Sequence, residues 1–141
     1  MRIFWTDGSA HPNPGKGGYV VIEDLKNGKA KIVAMGHAPR TTNNRMEATA
    51  IIHAIEEAKG EPCEIHTDSK LWINVATEWA PKWAKNNWRK TTGKIENLDL
   101  VQKLYALCTT HKVKFVWVKG HKGTKLNELA DQYAKKASDK A

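Results

Sequence analysis

An α/β fold with one mixed five-stranded sheet, in the order βββαβαααβα and with helices on both faces, is predicted by three observations. The first quarter of the chain carries apolar runs at strand period, split by a Gly/Pro-rich stretch and a tight turn. The remainder switches to helical periodicity interrupted by two short apolar runs. The 141 residues, 40% of them hydrophobic, supply one core and contain no repeat, low-complexity tract or linker, so a single domain over 1–141 is expected.

Each element has its own local reason. Residues 2–7 alternate Ile3 and Trp5 against Phe4 and Thr6 and read as a strand, and His11 to Gly18 read as a loop. Runs 19–25 and 30–36 flank Lys26-Asn27-Gly28-Lys29, a good hairpin turn, which makes the first three strands antiparallel. Asn44 or Thr42 can cap a helix over 45–59, with Glu47, Ile51, Ala54, Ile55 and Ala58 along one stripe. Gly60-Glu61-Pro62 stops it, and Cys63 to Thr67 is a short strand. Ser69 caps a helix to about Glu78, and Pro81 suits the first turn of a new short helix. Asn97 to about His111 is a further helix with Leu98, Val101, Leu104, Tyr105 and Cys108 inward. A strand over 113–118 and a helix from Leu126 to about Ser138 follow. Strands joined through helices are parallel with right-handed crossovers, which gives the sheet its mixed character.

Lys and Arg outnumber Asp and Glu by 23 to 15. That excess favours a polyanionic partner, and no apolar run approaches the roughly 20 residues of a spanning helix. Without a signal peptide, and with Cys63 and Cys108 lacking metal-type spacing, an intracellular, cytoplasmic location is expected.

Against this basic background four acids stand in four separate signatures: Asp7 in Thr-Asp-Gly-Ser, Glu47 in Asn-Asn-Arg-Met-Glu, Asp68 in Thr-Asp-Ser, and Asp131 in Asn-Glu-Leu-Ala-Asp. Asp7 and Asp68 end parallel strands, the edge where open α/β sheets collect ligands. Glu47 and Asp131 sit on helices from which they can point inward. Brought together, such carboxylates repel by up to about 4 kcal/mol per pair at 4 Å and an effective dielectric of 20. That repulsion calls for cations, and an all-oxygen donor set suits Mg²⁺ or Mn²⁺ better than zinc.

With these signatures assembled, the chain resembles the type 1 ribonucleases H over nearly its whole length. The matching stretches are Thr6-Asp7-Gly8-Ser9 with Asn13-Pro14-Gly15 and Gly17-Gly18, Thr41 to Ala48, Thr67-Asp68-Ser69, Trp117 to Gly123, and Asn127 with Ala130-Asp131. The resemblance implies the RNase H-like fold and hydrolysis of the RNA strand of RNA–DNA hybrids. It implies a two-metal-ion mechanism at Asp7, Glu47, Asp68 and Asp131, leaving 5′-phosphate and 3′-hydroxyl ends. His121 matches the family's mobile histidine, which assists proton transfer or product release. Asn13, Asn43, Asn44 and Glu47 match minor-groove contacts, and Arg40 and Thr42 match positions that hold a DNA phosphate. A monomer is expected by analogy.

Residues 80–94 carry Lys82, Lys85, Arg89, Lys90 and Lys94 with no acid, interleaved with Trp83 and Trp88 and preceded by Trp79. Lys82, Lys85 and Arg89 align if the helix persists, and Trp79 and Trp83 share another face. The stretch resembles the basic protrusion, about 80–95, with which some members grip the DNA strand. One departure is Lys70, where members often carry an uncharged residue. The alternatives are a non-catalytic nucleic-acid-binding domain on the same fold and another metal nuclease of the same architecture.

Overall fold

The computed structural model describes residues 1–119 and 125–141. Strands β1 (Arg2–Ala10), β2 (Gly15–Lys26) and β3 (Lys29–Thr41) form an antiparallel meander, and α1 (Asn43–Glu57) crosses to β4 (Cys63–Thr67). A helical stretch follows, made of α2 (Lys70–Asn74), a π-helical turn (Val75–Trp79) and α3 (Ala80–Lys85). Helix α4 (Leu98–Thr110), β5 (Val113–Trp117) and α5 (Lys125–Ser138) complete the chain. The sheet order is β3-β2-β1-β4-β5, with β1, β4 and β5 parallel. The chain order βββαβαααβα and the mixed five-stranded sheet are those the sequence predicts. Among the described residues no helix is long and apolar enough to cross a membrane.

Alternation along the central strands builds two cores. Phe4, Val21 and Ile65 face one way, into a cluster closed by α1, Trp72 of α2 and Val101 and Leu104 of α4. Trp5, Val20 and Ile22 face the other way, against Ala130 and Ala134 of α5. Helices therefore cover both faces.

The strands run longer than their apolar alternation. Pairing of β1 with β2 continues to Ala10↔Gly17, and β2 meets β3 as far as Gly15↔Thr41. Ladder hydrogen bonds need backbone groups, not apolar side chains, so the small residues of this region extend the sheet past the point where periodicity fades. Part of the expected 11–18 loop is thus strand. The break expected before Pro81 is also absent. Proline has no N–H and its ring would strike the carbonyl four residues back. The backbone answers by widening into a π turn, in which the Ala80 N–H reaches the Val75 carbonyl, and the helical run continues.

The start of α1 is fixed by Thr42, whose side chain accepts from the Arg45 N–H at 3.1 Å. The helix entry is then pulled against β1 by a missing side chain. A Cβ on Gly8 would lie 2.5 Å from the Glu47 amide nitrogen and closer still to the Met46 carbonyl. Only glycine lets α1 come this near. Gly8→Ala is expected to cost about 1–3 kcal/mol of stability in urea unfolding, the usual toll of overpacking; an unaltered midpoint would mean that α1 can stand off without loss.

Candidate active site

Strand β4 parts early from β1 while staying paired with β5 through Thr67. Its pairing with β1 ends at Trp5↔His66, so the β4 side of β1 is open from Thr6 onward. The Gly8 N–H is not left bare there. It donates to Asp7 Oδ1 at 2.9 Å and to Glu47 Oε1 at 2.8 Å, one amide joining two carboxylates. Asp68 follows the last residue of β4, and Ser69, not Asp68, caps α2 by accepting from the Trp72 N–H at 3.2 Å. The Asp68 carboxylate is therefore free to turn toward the other two.

One oxygen from each of Asp7, Glu47 and Asp68 lies within 4.8 Å of the others. Asp7 is 4% exposed and Glu47 8%. Burial pushes the Asp7 carboxyl up to about 6, and the charges of Asp68 and Asp131 push the same way against the hydrogen bonds from Glu47 and Gly8. Burial likewise raises Glu47 well above the usual carboxylate range, helped by its hydrogen bond and charge contact with Asp7. These two share a proton more readily than they hold two charges. Hard, closely spaced oxygens whose ionised form is disfavoured without a counter-charge are a donor set suited to a divalent ion of the Mg²⁺ or Mn²⁺ kind. The fourth acid stands apart: Asp131 on α5 is close enough to act on Asp7, but its Oδ2 lies 3.2 Å from Lys135 Nζ. His121 lies outside the described residues.

Asn13, Thr42, Asn43, Asn44, Trp79 and Lys90 of the candidate substrate residues line two clefts, while Trp88 and Arg89 border a third. Asn13, Thr42, Asn43 and Asn44 line one of them together with Glu96 and Asn97. Its asparagines brace each other: the Asn43 N–H donates to Asn13 Oδ1 at 3.0 Å, and Asn43 Oδ1 accepts from the Ala10 N–H at 2.6 Å. The Asn43 amide is thereby oriented with its NH₂ group left for another acceptor. Arg40 is exposed on β3. Asn97, read from the sequence only as a helix start, is a cleft residue held in a left-handed conformation at φ 56°. Arg45 fixes it, donating to Asn97 Oδ1 at 3.2 Å and to both Asp99 oxygens at 3.0 and 2.7 Å. An Asn immediately before an apolar-periodic run was the available signal for Asn97; nothing local pointed to its partner.

The second cleft contains Asn44, Leu71, Trp72, Trp79, Trp83 and Lys90 among its walls. Trp79 and Trp83 pair at 6.1 Å between ring centroids. Lys82 and Lys85 are exposed on α3, but the helix ends at Lys85, because Asn87 and Trp88 take positive φ. The expected alignment of Lys82, Lys85 and Arg89 on one helical face is thus broken. Arg89 and Lys90 lie beyond the turn, and Trp88 is folded against Tyr105 of α4, edge-on at 5.4 Å.

A family model for RNase H matches residues 1–139. The chain belongs to the ribonuclease H family. Ribonucleases H are hydrolases that act on the RNA of RNA–DNA hybrids. Two relatives, each named ribonuclease H, are 41% identical over 138 residues (Acidiphilium cryptum; 96% of this chain, 84% of that one) and 44% identical over 142 (Actinobacillus succinogenes; 99% and 90%). Among solved structures, LC9-RNase H1, a type 1 RNase H with the type 2 active-site motif, superposes with a TM-score of 0.78 at 30% identity, over 99% of this chain and 72% of that one. The RNase H-like fold and membership of the family expected from the motifs therefore hold.

The raised Asp7 value has a consequence for stability. A carboxyl with a folded value near 6 against 3.8 unfolded binds its proton more tightly in the native state. Native stability attributable to it is complete below about pH 4 and is lost as pH rises through 6. In metal-free buffer Asp7→Asn should therefore stabilise the protein at pH 7.5 by up to about 3 kcal/mol, with no gain at pH 3.5. Urea midpoints at the two pH values decide it, and an equal effect at both would overturn the electrostatic account.

Proposed function

We propose that this chain is an endoribonuclease that cuts the RNA strand of RNA–DNA hybrids with two divalent ions, leaving 5′-phosphate and 3′-hydroxyl ends. The observation that carries the reading is the convergence of Asp7, Glu47 and Asp68 within 4.8 Å at the open edge of β1, in a chain of the ribonuclease H family. Asp7, Glu47, Asp68 and Asp131 would hold the ions, Mg²⁺ or in its stead Mn²⁺. When bound, such ions supply charge neutralisation and Lewis-acid activation of water and phosphate.

The protein's own contribution is placement. The Gly8 amide fixes Asp7 and Glu47 relative to one another, so little is left to reorganise as charge develops. Glu47 also stands about one turn along α1 from Asn43 and Asn44, which ties the acids to the asparagine cleft. There Asn13, Asn43, Asn44 and Asn97 present amide NH₂ donors, the Oδ1 atoms of Asn13, Asn43 and Asn97 already accepting within the protein. Such donors suit ribose 2′-hydroxyl oxygens and base-edge acceptors in a shallow minor groove. Arg40 and Thr42 are assigned to the phosphate backbone of the DNA strand. Trp79, Lys82, Lys85, Trp88, Arg89 and Lys90 are assigned to the same strand farther along, through charge and stacking surface. His121 is assigned to proton transfer or product release on the resemblance alone. Two free cysteines, Cys63 buried and Cys108 half-buried, accord with a reducing, cytoplasmic setting, and the chain is expected to act as a monomer.

Cleavage of four end-labelled substrates in Mg²⁺ tests the reading: RNA–DNA hybrid, duplex RNA, single-stranded RNA and duplex DNA. Only the RNA of the hybrid should be cut, and Asp68→Asn should slow that reaction by at least about 10²–10³-fold without abolishing hybrid binding. Hybrid bound but never cut, in Mg²⁺ or Mn²⁺, would instead favour a binding domain. Neutralising Lys85, Arg89 and Lys90 together should raise KM at unchanged kcat. It should also flatten the log–log salt dependence by about 2–3, near one for each phosphate left without its cation. A lowered kcat at constant KM would contradict their assignment.

A further inference from the structure

Among the described ion pairs, the fourth acid is the member of the set that is joined to a cation. Lys135, one turn along α5, places its ammonium nitrogen 3.2 Å from Asp131 Oδ2. The Asp131 side chain is 23% exposed and that of Lys135 69%, so the carboxylate is partly withdrawn from water while its counter-charge stands largely in it. A second carboxylate lies one turn farther on. Asp139 continues the helical bonding of α5 through its N–H to the Lys135 carbonyl at 3.1 Å, and Lys135 and Asp139 line the same cleft, together with Ser9 and His11. Lys135 is thus flanked at i−4 and i+4 by acids, the spacing at which helical side chains meet. Of the two, Asp131 is the one whose charge reaches Asp7.

We propose that Lys135 is a positioning residue for Asp131. Its ammonium group holds the Asp131 carboxylate off the Asp7–Glu47–Asp68 cluster, and it passes to Asp139 when that carboxylate turns to a divalent cation. Lys135 then sets the concentration of divalent ion at which the fourth ligand joins the site. The inference rests on the reading of the four acids as ligands. A partly exposed ion pair is weak enough to be exchanged at millimolar ion concentrations, and strong enough to move a binding midpoint.

Two readouts test it: the Mg²⁺-induced rise in Tm of the metal-free protein at pH 7.5, and the Mg²⁺ midpoint of hybrid cleavage. Lys135→Gln should lower both midpoints about two- to five-fold, and Lys135→Arg, which keeps the pair, should stay near wild type. Lys136→Gln removes the same charge from a neighbouring residue that sits over the Tyr133 ring instead, and it should move the midpoints far less. Asp139→Asn should raise them about two-fold, and should do nothing when Lys135 is already Gln. Equal shifts from Lys135→Gln and Lys136→Gln, or an Asp139→Asn effect that persists without Lys135, would overturn the proposal. An Mg²⁺ response that is missing in wild type, or that survives Asp7→Asn, would sink the metal reading beneath it instead.

Discussion

A single backbone amide organises the cluster of acids. The Gly8 N–H lies where β4 no longer covers β1, and its two acceptors come from different elements, Asp7 on the strand and Glu47 on the helix. The bond requires α1 to lie against β1, which requires that residue 8 have no side chain. Tertiary packing then follows from the same contact. The α1 face bearing Ile51, Ala54 and Ile55 is brought down on Phe4, Val21 and Ile65, and the core on that side closes around it. The carboxylate pair and the hydrophobic core thus share one point of closest approach.

The electrostatic design is one of local strain within a global excess of opposite charge. The chain carries a formal charge of +8, yet none of its many cations pairs with Asp7, Glu47 or Asp68 among the described ion pairs. Some cations are committed to other acids, as Arg2 is to Glu23 and Arg45 to Asp99. The result is a buried carboxylate pair whose ionisation is opposed, surrounded at a distance by a field that draws in polyanions.

Much of this was legible in residues whose local grammar is strong. Thr-Asp-Ser marks the end of β4, so Asp68 could be placed from sequence. Asp7 was expected to end β1, but the strand runs on to Ala10, and Asp7 reaches the open edge because β4 no longer pairs with β1 beyond Trp5. Glu47 could be placed because helical period puts it on the stripe of Ile51 and Ala54. Asp131 obeyed the same rule and yet stands off, because a helix also offers its acid a lysine at i+4, and pattern alone does not rank the two partners. The basic stretch misled in a different way. Charge spacing suggested one face, but Asn87 and Trp88 turn the chain through positive φ after Lys85, and Asn-Asn was the local sign of that turn. Pro81 announced a break that the π turn absorbed. Asn97 became a cleft residue through Arg45, a contact 52 positions away that no window of sequence contains.

Asn44 and Asn97 each border both clefts, the amide-lined one and the tryptophan-lined one. They are anchored from behind: the Asn44 carbonyl accepts from the buried Trp72 indole at 2.8 Å, and Asn97 is gripped by Arg45. The two clefts therefore share a wall that is tied to the buried Trp72 on one side and held by Arg45 on the other. Two strands lying one on each side would be held at a gauge that the protein itself fixes, so a duplex would be measured across its width as well as read along its edges.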